Sequence, residues 1–569
     1  MHSMSIYAIL QYLLFILVMT FFVRPLGGFL ERVFSGKPTW LDPLCRPVER
    51  LIYRACRVDA AMEMTAAEYA GAFVLFSFAG ILLLYLLLRL QQLLPFYATK
   101  YLTTPMTPAL AWNTAVSFVT TTTWQAYGGE STLSYVSQMV GLTVQNFLAG
   151  AAGLAVGIAF IRGFVREKSA TLGNFWVDLT RALLWVLLPA SIFISVLLVS
   201  QGVPMNWSSY TVVQTLEHGS QVIAQGPVAA LESIKNLGTN GGGFFGANAA
   251  HPYENPTPFI NLLELLSIAI LPAALTNTFG RMVRQPRQGW MLFAVMLGLL
   301  TIGWWICGSA EAGPNLLVRN VDQSAGNMEG KEVRFGATGS ALAAVVTSNM
   351  ATGSTNSSHD SFTPLGGLVP LVNMILGEVT FGGLGSGIYC MILVALIAVF
   401  LTGLMIGRTP EYLGKRVGPC EQKLIMLYTL AGHVFVLVFA ALALTTRAGL
   451  AGLATNHGAH GLTEVLYAYA SCLANNGQAF AGLNANSPFY NLTTGVVMLV
   501  GRFALVIPAL ALAGRFASQG RTVAHVGTLR TDTPTFGVVL ALSVCLLGSL
   551  CYFPALSLGP LLERALLLH

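Results

Sequence analysis

Four polar stretches of this sequence carry residue types that suit the binding of a bare cation. The richest in glycine runs from Asn236 to Phe245 as NLGTNGGGFF and lies between two long apolar segments. Because glycine reaches positive φ without steric cost, such a stretch can turn successive carbonyl oxygens toward one point. Rings of carbonyl oxygens replace the hydration shell of potassium in channel filters. The stretch therefore predicts a cation-binding loop.

The same letters match the dinucleotide fingerprint G-x-G-x-x-G at Gly241, Gly243 and Gly246. That fingerprint requires a preceding strand within a βαβ unit. Here the flanking segments are apolar and long enough to cross a membrane, so we interpret the match as coincidental.

Three other segments repeat the pattern of a short, mildly apolar helix followed by a loop of small polar residues. With Thr122, Gly241, Gly353 and Asn476 as reference positions, the intervals are 119, 112 and 123 residues. Near-constant spacing indicates an internal repeat. Ordinary outer loops would explain one such segment but not four at this spacing. The predicted ion-binding residues are Val119, Thr120, Thr121, Thr122, Gln125, Leu237, Gly238, Thr239, Asn240, Gly241, Gly242, Thr352, Gly353, Ser354, Thr355, Ala474, Asn475, Asn476 and Gly477.

The chemistry of these loops favours a monovalent cation. None of them contains Asp or Glu, whereas Ca²⁺ and Mg²⁺ sites usually recruit carboxylates. A short helix that points its C-terminal end at the pore adds partial negative charge. This reasoning leaves the choice between potassium and sodium open. Glu254 and Asp360, which flank two loops, are interpreted as helix caps rather than ion ligands.

The composition places these loops in a membrane protein. The 569 residues have a mean hydropathy of +0.66 and are 54% hydrophobic but only 9% charged, whereas soluble domains carry about 25% charged residues. The eight cysteines are scattered singly without a C-x-x-C pair, which suggests neither a zinc site nor a disulfide framework.

Ten apolar runs are long enough to cross a hydrocarbon core of about 30 Å. Basic residues follow the first run and every second run after it, which by the positive-inside rule predicts ten spans with both chain ends outside. The first run has its cations after it, the reverse of a signal peptide, and is predicted to be retained. The predicted spans are residues 6–23, 66–90, 136–161, 176–200, 258–280, 290–310, 371–406, 424–446, 492–514 and 536–553.

The seventh run, 371–406, is too long for one straight crossing at 1.5 Å per residue. Glycines 382, 383, 385 and 387 each disfavour helix by about 1 kcal/mol, so we expect the helix to break there, below the preceding loop. A glycine-rich packing seam is the alternative. Glu378 would then face a cavity, and Arg502, buried in the ninth run, is a functional candidate because an intramembrane cation is costly. The predicted gating or ion-path residues are Glu378, Gly382, Gly383, Gly385, Gly387, Arg408 and Arg502.

Several long motifs resemble the potassium-binding A subunits of bacterial Kdp potassium-transporting ATPases. They are NLGTNGGGFF from Asn236, AHPYENP from Ala250, FVT from Phe118 with WQ at Trp124, HDSF from His359, GRTPEYLG from Gly407 and NNG from Asn475. The resemblance covers essentially the whole chain. It implies an all-α polytopic membrane protein with ten transmembrane helices. Four pseudo-symmetric span–pore loop–span repeats, as in the superfamily of potassium transporters, would be flanked by one helix at each end.

The resemblance also implies roles for single residues and a division of the chain. Gln125 matches a position tied to potassium affinity, although a capping amide is the alternative, and Arg502 matches an arginine that lines the exit from the filter. The predicted segments are 1–60, an N-terminal helix and cytoplasmic link; 61–170, 171–285, 286–420 and 421–530, four pore repeats; and 531–569, a C-terminal helix.

No Walker A motif and no Asp-Lys-Thr-Gly phosphorylation loop occurs in the sequence, so the chain is expected to be a non-catalytic subunit. The resemblance implies potassium as the transported ion, ATP only on a P-type ATPase B subunit, C and F subunits as further partners, and the bacterial inner membrane. A self-sufficient channel or a Trk/Ktr-like uptake protein is the main alternative. An intramembrane enzyme is disfavoured because no His/Asp or Ser/Lys pair shares one helix face within a span.

Overall fold

The computed structural model of this protein describes residues 4–95, 101–318, 321–377, 379–407, 410–522 and 529–568. Within these ranges ten helices are long and apolar enough to cross a membrane, as the sequence predicts. They are α1 (Ile6–Phe34), α3 (Ala66–Arg89), α5 (Ser137–Val165), α6 (Phe175–Ser200), α8 (Pro258–Met282), α9 (Pro286–Glu311), α12 (Ser386–Ile406), α13 (Pro419–Thr445), α15 (Pro488–Ser518) and α16 (Pro534–Leu568).

Six further helices of ten or more residues lie between the described spans. Four of them are the predicted short helices before the polar loops, and each ends where its loop begins. Many helices in the chain start at a capping hydroxyl; Thr107, for instance, accepts a hydrogen bond from the Leu110 amide, which satisfies a free N–H of the first turn. The six are α2 (Asp42–Cys56), α4 (Pro108–Val119), α7 (Val228–Leu237), α10 (Gly336–Asn349), α11 (Pro364–Ile375) and α14 (Gly458–Leu473); we call α4, α7, α10 and α14 the pore helices.

The predicted break in the seventh apolar run is confirmed. Helix α11 ends at Ile375 and α12 begins only at Ser386; we call the connection, residues 376–385, the intramembrane loop. Phe381, Gly382 and Gly385 adopt positive φ in it. Glu378 and Arg408 lie outside the described residues.

One residue of the break was assigned wrongly from the sequence. Gly387 lies in the first turn of α12 rather than in the loop. A Cβ on Gly387 would stand 1.5 Å from the Phe381 carbonyl oxygen. Glycine is therefore needed there because the loop folds back onto the helix start, not because the helix is broken at that point.

Helix α5 is the most buried of the spans and forms the centre of the bundle. Its glycines 150, 153 and 157 lie on one face, and their Cα atoms approach the backbone of Gly238, Leu384 and Gly385 closely enough that a Cβ would stand within 3.2 Å. Small residues permit such close backbone approach in membrane proteins. The glycine face of α5 therefore holds the second loop and the intramembrane loop against each other.

The strands of the described residues form three short antiparallel pairs outside the spans. They join strands β1 (Met64–Thr65) and β2 (Thr171–Gly173), β3 (Thr211–Gln214) and β4 (Ser220–Ile223), and β5 (Glu411–Tyr412) and β6 (Lys415–Arg416). The fold is thus helical, as expected. The division into six segments stays a prediction.

Candidate ion-binding site

The four loops that follow the pore helices share one backbone conformation. In each loop, the second and the fourth residue after the last helical residue have positive φ. Alternating left-handed and right-handed residues turn successive carbonyl oxygens to the same side, which is the arrangement that a ring of ion-binding carbonyls requires. The second residues are Thr121, Thr239, Ala351 and Asn475, and the fourth are Thr123, Gly241, Gly353 and Gly477.

The fourth residues also close the loops into a ring. A Cβ on Gly241 would stand 1.5 Å from the carbonyl oxygen of Thr352 in the third loop, and one on Gly353 would stand 2.2 Å from that of Asn476 in the fourth. A Cβ on Gly477 would stand 1.7 Å from the Thr122 carbonyl oxygen in the first loop. Each loop therefore abuts the next one, and glycine is required at these contacts by space as well as by φ.

The first loop completes the ring without glycine. Thr123 adopts φ of 50°, and its hydroxyl donates to the carbonyl oxygen of Asn240 in the second loop. A hydrogen bond thus replaces the steric contact that the glycines make elsewhere. This answers why the first loop can lack glycine.

Sequence reasoning missed Thr123 and set two reference positions one residue too early. The positions equivalent to Gly241 and Gly353 are Thr123 and Gly477, not Thr122 and Asn476, because all four stand four residues beyond the end of a pore helix. The sequence alone does not show where the pore helices end. If these ends were known, counting four residues from the end of α4 would identify Thr123.

Contacts above and below the ring tie the loops to their surroundings. On one side, the Gln125 side-chain oxygen accepts from the Gly243 amide at 2.8 Å. On the other side, Thr121 accepts from Arg502 Nη1 at 3.1 Å, and Thr239 accepts from the Leu384 amide of the intramembrane loop at 2.6 Å. The ring therefore stands directly against the intramembrane loop.

The other predicted residues divide into ring members and supports. In each loop, one residue lies between the two residues of positive φ and supplies the carbonyl there. These four residues are fully buried: Thr122, Asn240, Thr352 and Asn476. Asn475 donates from Nδ2 to the Thr122 hydroxyl at 2.9 Å. The supports are Val119 and Leu237, the last residues of their helices; Thr120, Gly238 and Ala474, the first residues after them; and Gly242, Ser354 and Thr355, which follow the ring.

Arg502 is buried beside the ring in a π-helical turn of α15, Val500–Ala504. Its Nη2 donates to the Ala149 carbonyl at 3.3 Å, and its guanidinium lies 5.4 Å from the centre of the Phe73 ring. The preceding Gly501 lets α15 approach the Leu473 carbonyl at the end of α14, where a Cβ would stand 2.0 Å away. The π turn thus brings a cation next to two of the four loops.

A buried charge cluster braces the second loop, and it corrects the interpretation of Glu254 as a helix cap. Lys235 Nζ lies 2.5 Å from Glu254 Oε2 and 2.8 Å from Glu232 Oε2, and all three side chains are fully buried. The Lys235 carbonyl accepts from the amides of Asn240 and Gly241. Glu254 serves as counter-charge because a buried ammonium without a carboxylate would be very costly.

Asp360 is also not a helix cap. Its Oδ1 lies 2.9 Å from His460 Nε2 in the first turn of α14, while His460 Nδ1 lies 2.8 Å from Glu563 near the C-terminal end of α16. Burial alone lowers the pKa of His460, but the two carboxylates raise it to about 10. This imidazolium links the third loop, the fourth pore helix and the end of the chain.

A cavity is lined by residues of the fourth loop and of the intramembrane loop. About 80 Å³ of it is open to the centre of a water molecule, enough for several waters. It lies between α12, α13, α15 and α16, and its lining includes the intramembrane loop at Gly377 and Val379, Asn475 of the fourth loop, and Arg502.

The ten apolar helices and the ring of four loops define a multi-pass membrane protein with the fold of potassium transporters. The model of the potassium-transporting ATPase A subunit family matches residues 13–565. The chain therefore belongs to this family.

Individual relatives agree with the family model. The potassium-transporting ATPase potassium-binding subunit of Methylorubrum extorquens is 53% identical over 542 residues, 95% of this chain and 94% of that protein. The subunit of the same name from Solibacter usitatus is 50% identical over 564 residues, 99% of both chains. The crystal structure of the potassium transporter TrkH from Vibrio parahaemolyticus has a TM-score of 0.52 at 14% identity, over 85% of this chain and 96% of that one. The last similarity concerns the fold alone.

Proposed function

We propose that this chain is the potassium-binding and translocating subunit of an ATP-driven potassium uptake pump, with the ion bound inside the ring of four loops. The observation that carries the proposal is the closed ring itself, in which glycines 241, 353 and 477 and Thr123 each meet the carbonyl of the next loop. Membership of the family and the names of its relatives support potassium as the ion.

The ligand chemistry of the ring supports a weakly hydrated monovalent ion. Its oxygen ligands would be backbone carbonyls and hydroxyls, and the loops contain no carboxylate. The four pore helices end at the ring, so that their C-terminal dipoles add partial negative charge there. A ring of this kind stabilises a dehydrated cation without the charge that would hold a divalent ion too tightly.

The intramembrane loop supports a sideways exit from the ring. It lies against Thr239 through the Leu384 amide and packs on the glycine face of α5, so it obstructs a straight path through the bundle. The cavity beside it, lined by Asn475 and Arg502, gives ions a lateral path. In the proposed pump this path leads toward the energy-supplying partner, and Gly382, Gly383 and Gly385 of the intramembrane loop form the gate. Gly387 at the start of α12 stays a predicted ion-path residue, as do Glu378 and Arg408, which lie outside the described residues.

The partner that supplies the energy is a P-type ATPase B subunit, assembled with C and small F subunits. The support for it is that relatives are named as subunits of an ATPase, while this sequence lacks a Walker A motif and a phosphorylation loop. The complex resides in the bacterial inner membrane with both ends of this chain outside, as the cation distribution indicates.

Potassium-dependent thermal stability of the purified full chain tests the ring. A Cβ on Gly241 would overlap the Thr352 carbonyl at a φ of 85°, and strain of about 1–3 kcal/mol corresponds to roughly five- to 150-fold weaker binding. We therefore expect Gly241→Ala to require at least about fivefold more potassium for the same stabilisation. The matched control is Gly298→Ala on α9, where a Cβ would meet nothing within 4 Å. Equal potassium dependence of the two variants would refute the site.

Flux measurements separate the pump subunit from a self-sufficient channel. Proteoliposomes that contain only this chain should not conduct potassium, whereas the complex should transport it when ATP is supplied. Steady conductance through the isolated chain would favour the channel alternative. The orientation is tested by an impermeant thiol reagent on intact cells, after Cys56, Cys420 and Cys545 are replaced by Ser: Leu216→Cys should be labelled and Ala170→Cys should not.

A further inference from the structure

Three arginines gather around one open hollow at the membrane boundary, away from the ring. Arg24 and Arg32 stand on α1, and Arg281 stands at the end of α8. The hollow has a volume of about 660 Å³, and Trp40 forms part of its wall. None of these residues lines the ring of loops or the cavity next to it.

Close helix packing brings the three cations together. Arg24, Gly28 and Arg32 follow one another at intervals of four residues and so lie on one face of α1. Gly28 leaves room for the Arg281 side chain, whose Cζ would stand 3.3 Å from a Cβ at that position. Arg281 is held there by a bond from its Nε to Asn277 Oδ1 at 2.8 Å. Its guanidinium therefore lies between the levels of the two α1 arginines.

The three charges lack a counter-charge within the described part of the chain. Among those residues, none of the three arginines forms an ion pair with a carboxylate, and the nearby Glu31 is engaged by Lys37 at 2.5 Å. The adjoining hollow differs, because its Arg46 and Arg181 pair with Asp42 and Glu49. Three like charges side by side repel one another unless an anion lies among them.

The surroundings of the three arginines indicate that an anion bound there would come from the membrane. The apolar part of α1, residues 6–23, is about 27 Å long at 1.5 Å per residue, so Arg24 stands where the hydrocarbon ends. Trp40 is 78% exposed, as is typical of indoles at a membrane interface. Helix α2 beside it exposes Leu44, Val48 and Leu51 on one face, which is the pattern of a helix lying in the interface.

We propose that Arg24, Arg32 and Arg281 bind the phosphate of an anionic phospholipid in the leaflet at this end of α1. Guanidiniums recognise phosphate oxygens through paired N–H donors, and cations next to a span attract acidic lipids. The lipid's acyl chains would cover the apolar face of α2, which the protein leaves exposed. The chemistry that the site recognises is a phosphate monoanion with an apolar tail, and free phosphate is the competing source.

Native mass spectrometry of the full chain tests the proposal with phosphatidylglycerol and phosphatidylcholine of identical acyl chains. We expect the wild type to retain phosphatidylglycerol preferentially. The triple variant R24Q/R32Q/R281Q should bind it roughly a hundredfold more weakly, since each surface-proximal cation contributes about fivefold. The control R46Q alters an arginine that already has its own carboxylate, Asp42, and should behave like the wild type.

Each of the following outcomes would overturn the site. Equal retention of phosphatidylglycerol by the wild type and the triple variant would do so, and equal loss in R46Q would show a general charge effect. Displacement of the lipid by equimolar inorganic phosphate would assign the site to free phosphate. Loss of lipid binding when the chain is assembled with its partners would show a protein contact instead. If the triple variant does not fold, R24Q and R32Q singly, both at exposed positions, should each weaken retention about fivefold, and no change in either would equally refute the proposal.

Discussion

The buried Lys235 offers the sharpest test of how the ring is supported. Its ammonium group lies 2.8 Å from Glu232 and 2.5 Å from Glu254 and donates to Asn248 Oδ1 at 2.9 Å. Lys235→Met keeps the volume of the side chain but leaves two buried carboxylates without their cation. Removing one partner of a buried ion pair costs about 3–5 kcal/mol. We expect a loss of this size in the unfolding free energy of the full chain in mixed detergent micelles.

The effect should reach potassium as well as stability. Glu254 accepts from the Phe245 amide at 2.8 Å, and Asn248 donates to the Gly353 carbonyl at 3.3 Å, so the cluster positions both the second and the third loop. Potassium should therefore stabilise the variant less than the wild type in the same titration. Adding Glu254→Gln to Lys235→Met should recover part of the lost stability, because it removes one uncompensated charge.

A surface pair provides the control for this prediction. Lys37 and Glu31 also lie 2.5 Å apart, but the Lys37 side chain is 57% exposed, and exposed pairs contribute about 0–1 kcal/mol. Lys37→Met should thus change neither the unfolding free energy appreciably nor the potassium response. The reasoning fails if Lys235→Met and Lys37→Met lose the same stability, or if Lys235→Met leaves the potassium titration unchanged.

Three further predictions concern single contacts. Thr123→Val keeps the β-branched shape but removes the hydroxyl donor to Asn240, so it should lose about 1–3 kcal/mol, whereas Thr123→Gly relieves the positive φ and should lose less; the reverse order in thermal unfolding would contradict the ring contact. The charged His460 adds stability that is complete below its unfolded pKa of about 6.5 and disappears as the pH rises through its folded pKa of about 10, so the protection factors of amides near Glu563, which correct for base-catalysed intrinsic exchange, should fall over that window in the wild type but not in His460→Gln. Deleting residues 382–386 should turn coupled transport into a passive potassium leak in proteoliposomes; a deletion variant that folds and remains tightly coupled would disprove the role of the intramembrane loop.

The spans, the pore helices and the helix break were predictable because each leaves a pattern in consecutive letters. Apolar length indicates a span, and clustered glycine indicates irregular backbone. The function of Thr123 was not predictable in this way. Its role depends on where α4 ends at Val119 and on a carbonyl 117 residues further along the chain, neither of which the local sequence shows.

The buried charges escaped prediction for a related reason. In the sequence, Glu232 and Lys235 look like the polar face of a mildly apolar helix, and Glu254 looks like a cap. Tertiary packing of α7 against α8 removes them from water and forces them to pair. Likewise, Gly387 looks like a helix breaker, but it is required by the return of the Phe381 carbonyl.

The circular contact among the four loops constrains how the repeats can diverge. The residue that makes each contact and the carbonyl that receives it belong to different repeats, so a substitution at one glycine must be accommodated in a distant part of the chain rather than nearby. A repeat therefore cannot change its loop alone without disturbing its neighbour. Within the described ring, Thr123 is the one contact residue that is not glycine. Its side chain is tolerated because its hydroxyl donates a hydrogen bond to the facing carbonyl. Tolerated substitutions at the ring are therefore expected in pairs, with one residue in each of two facing loops.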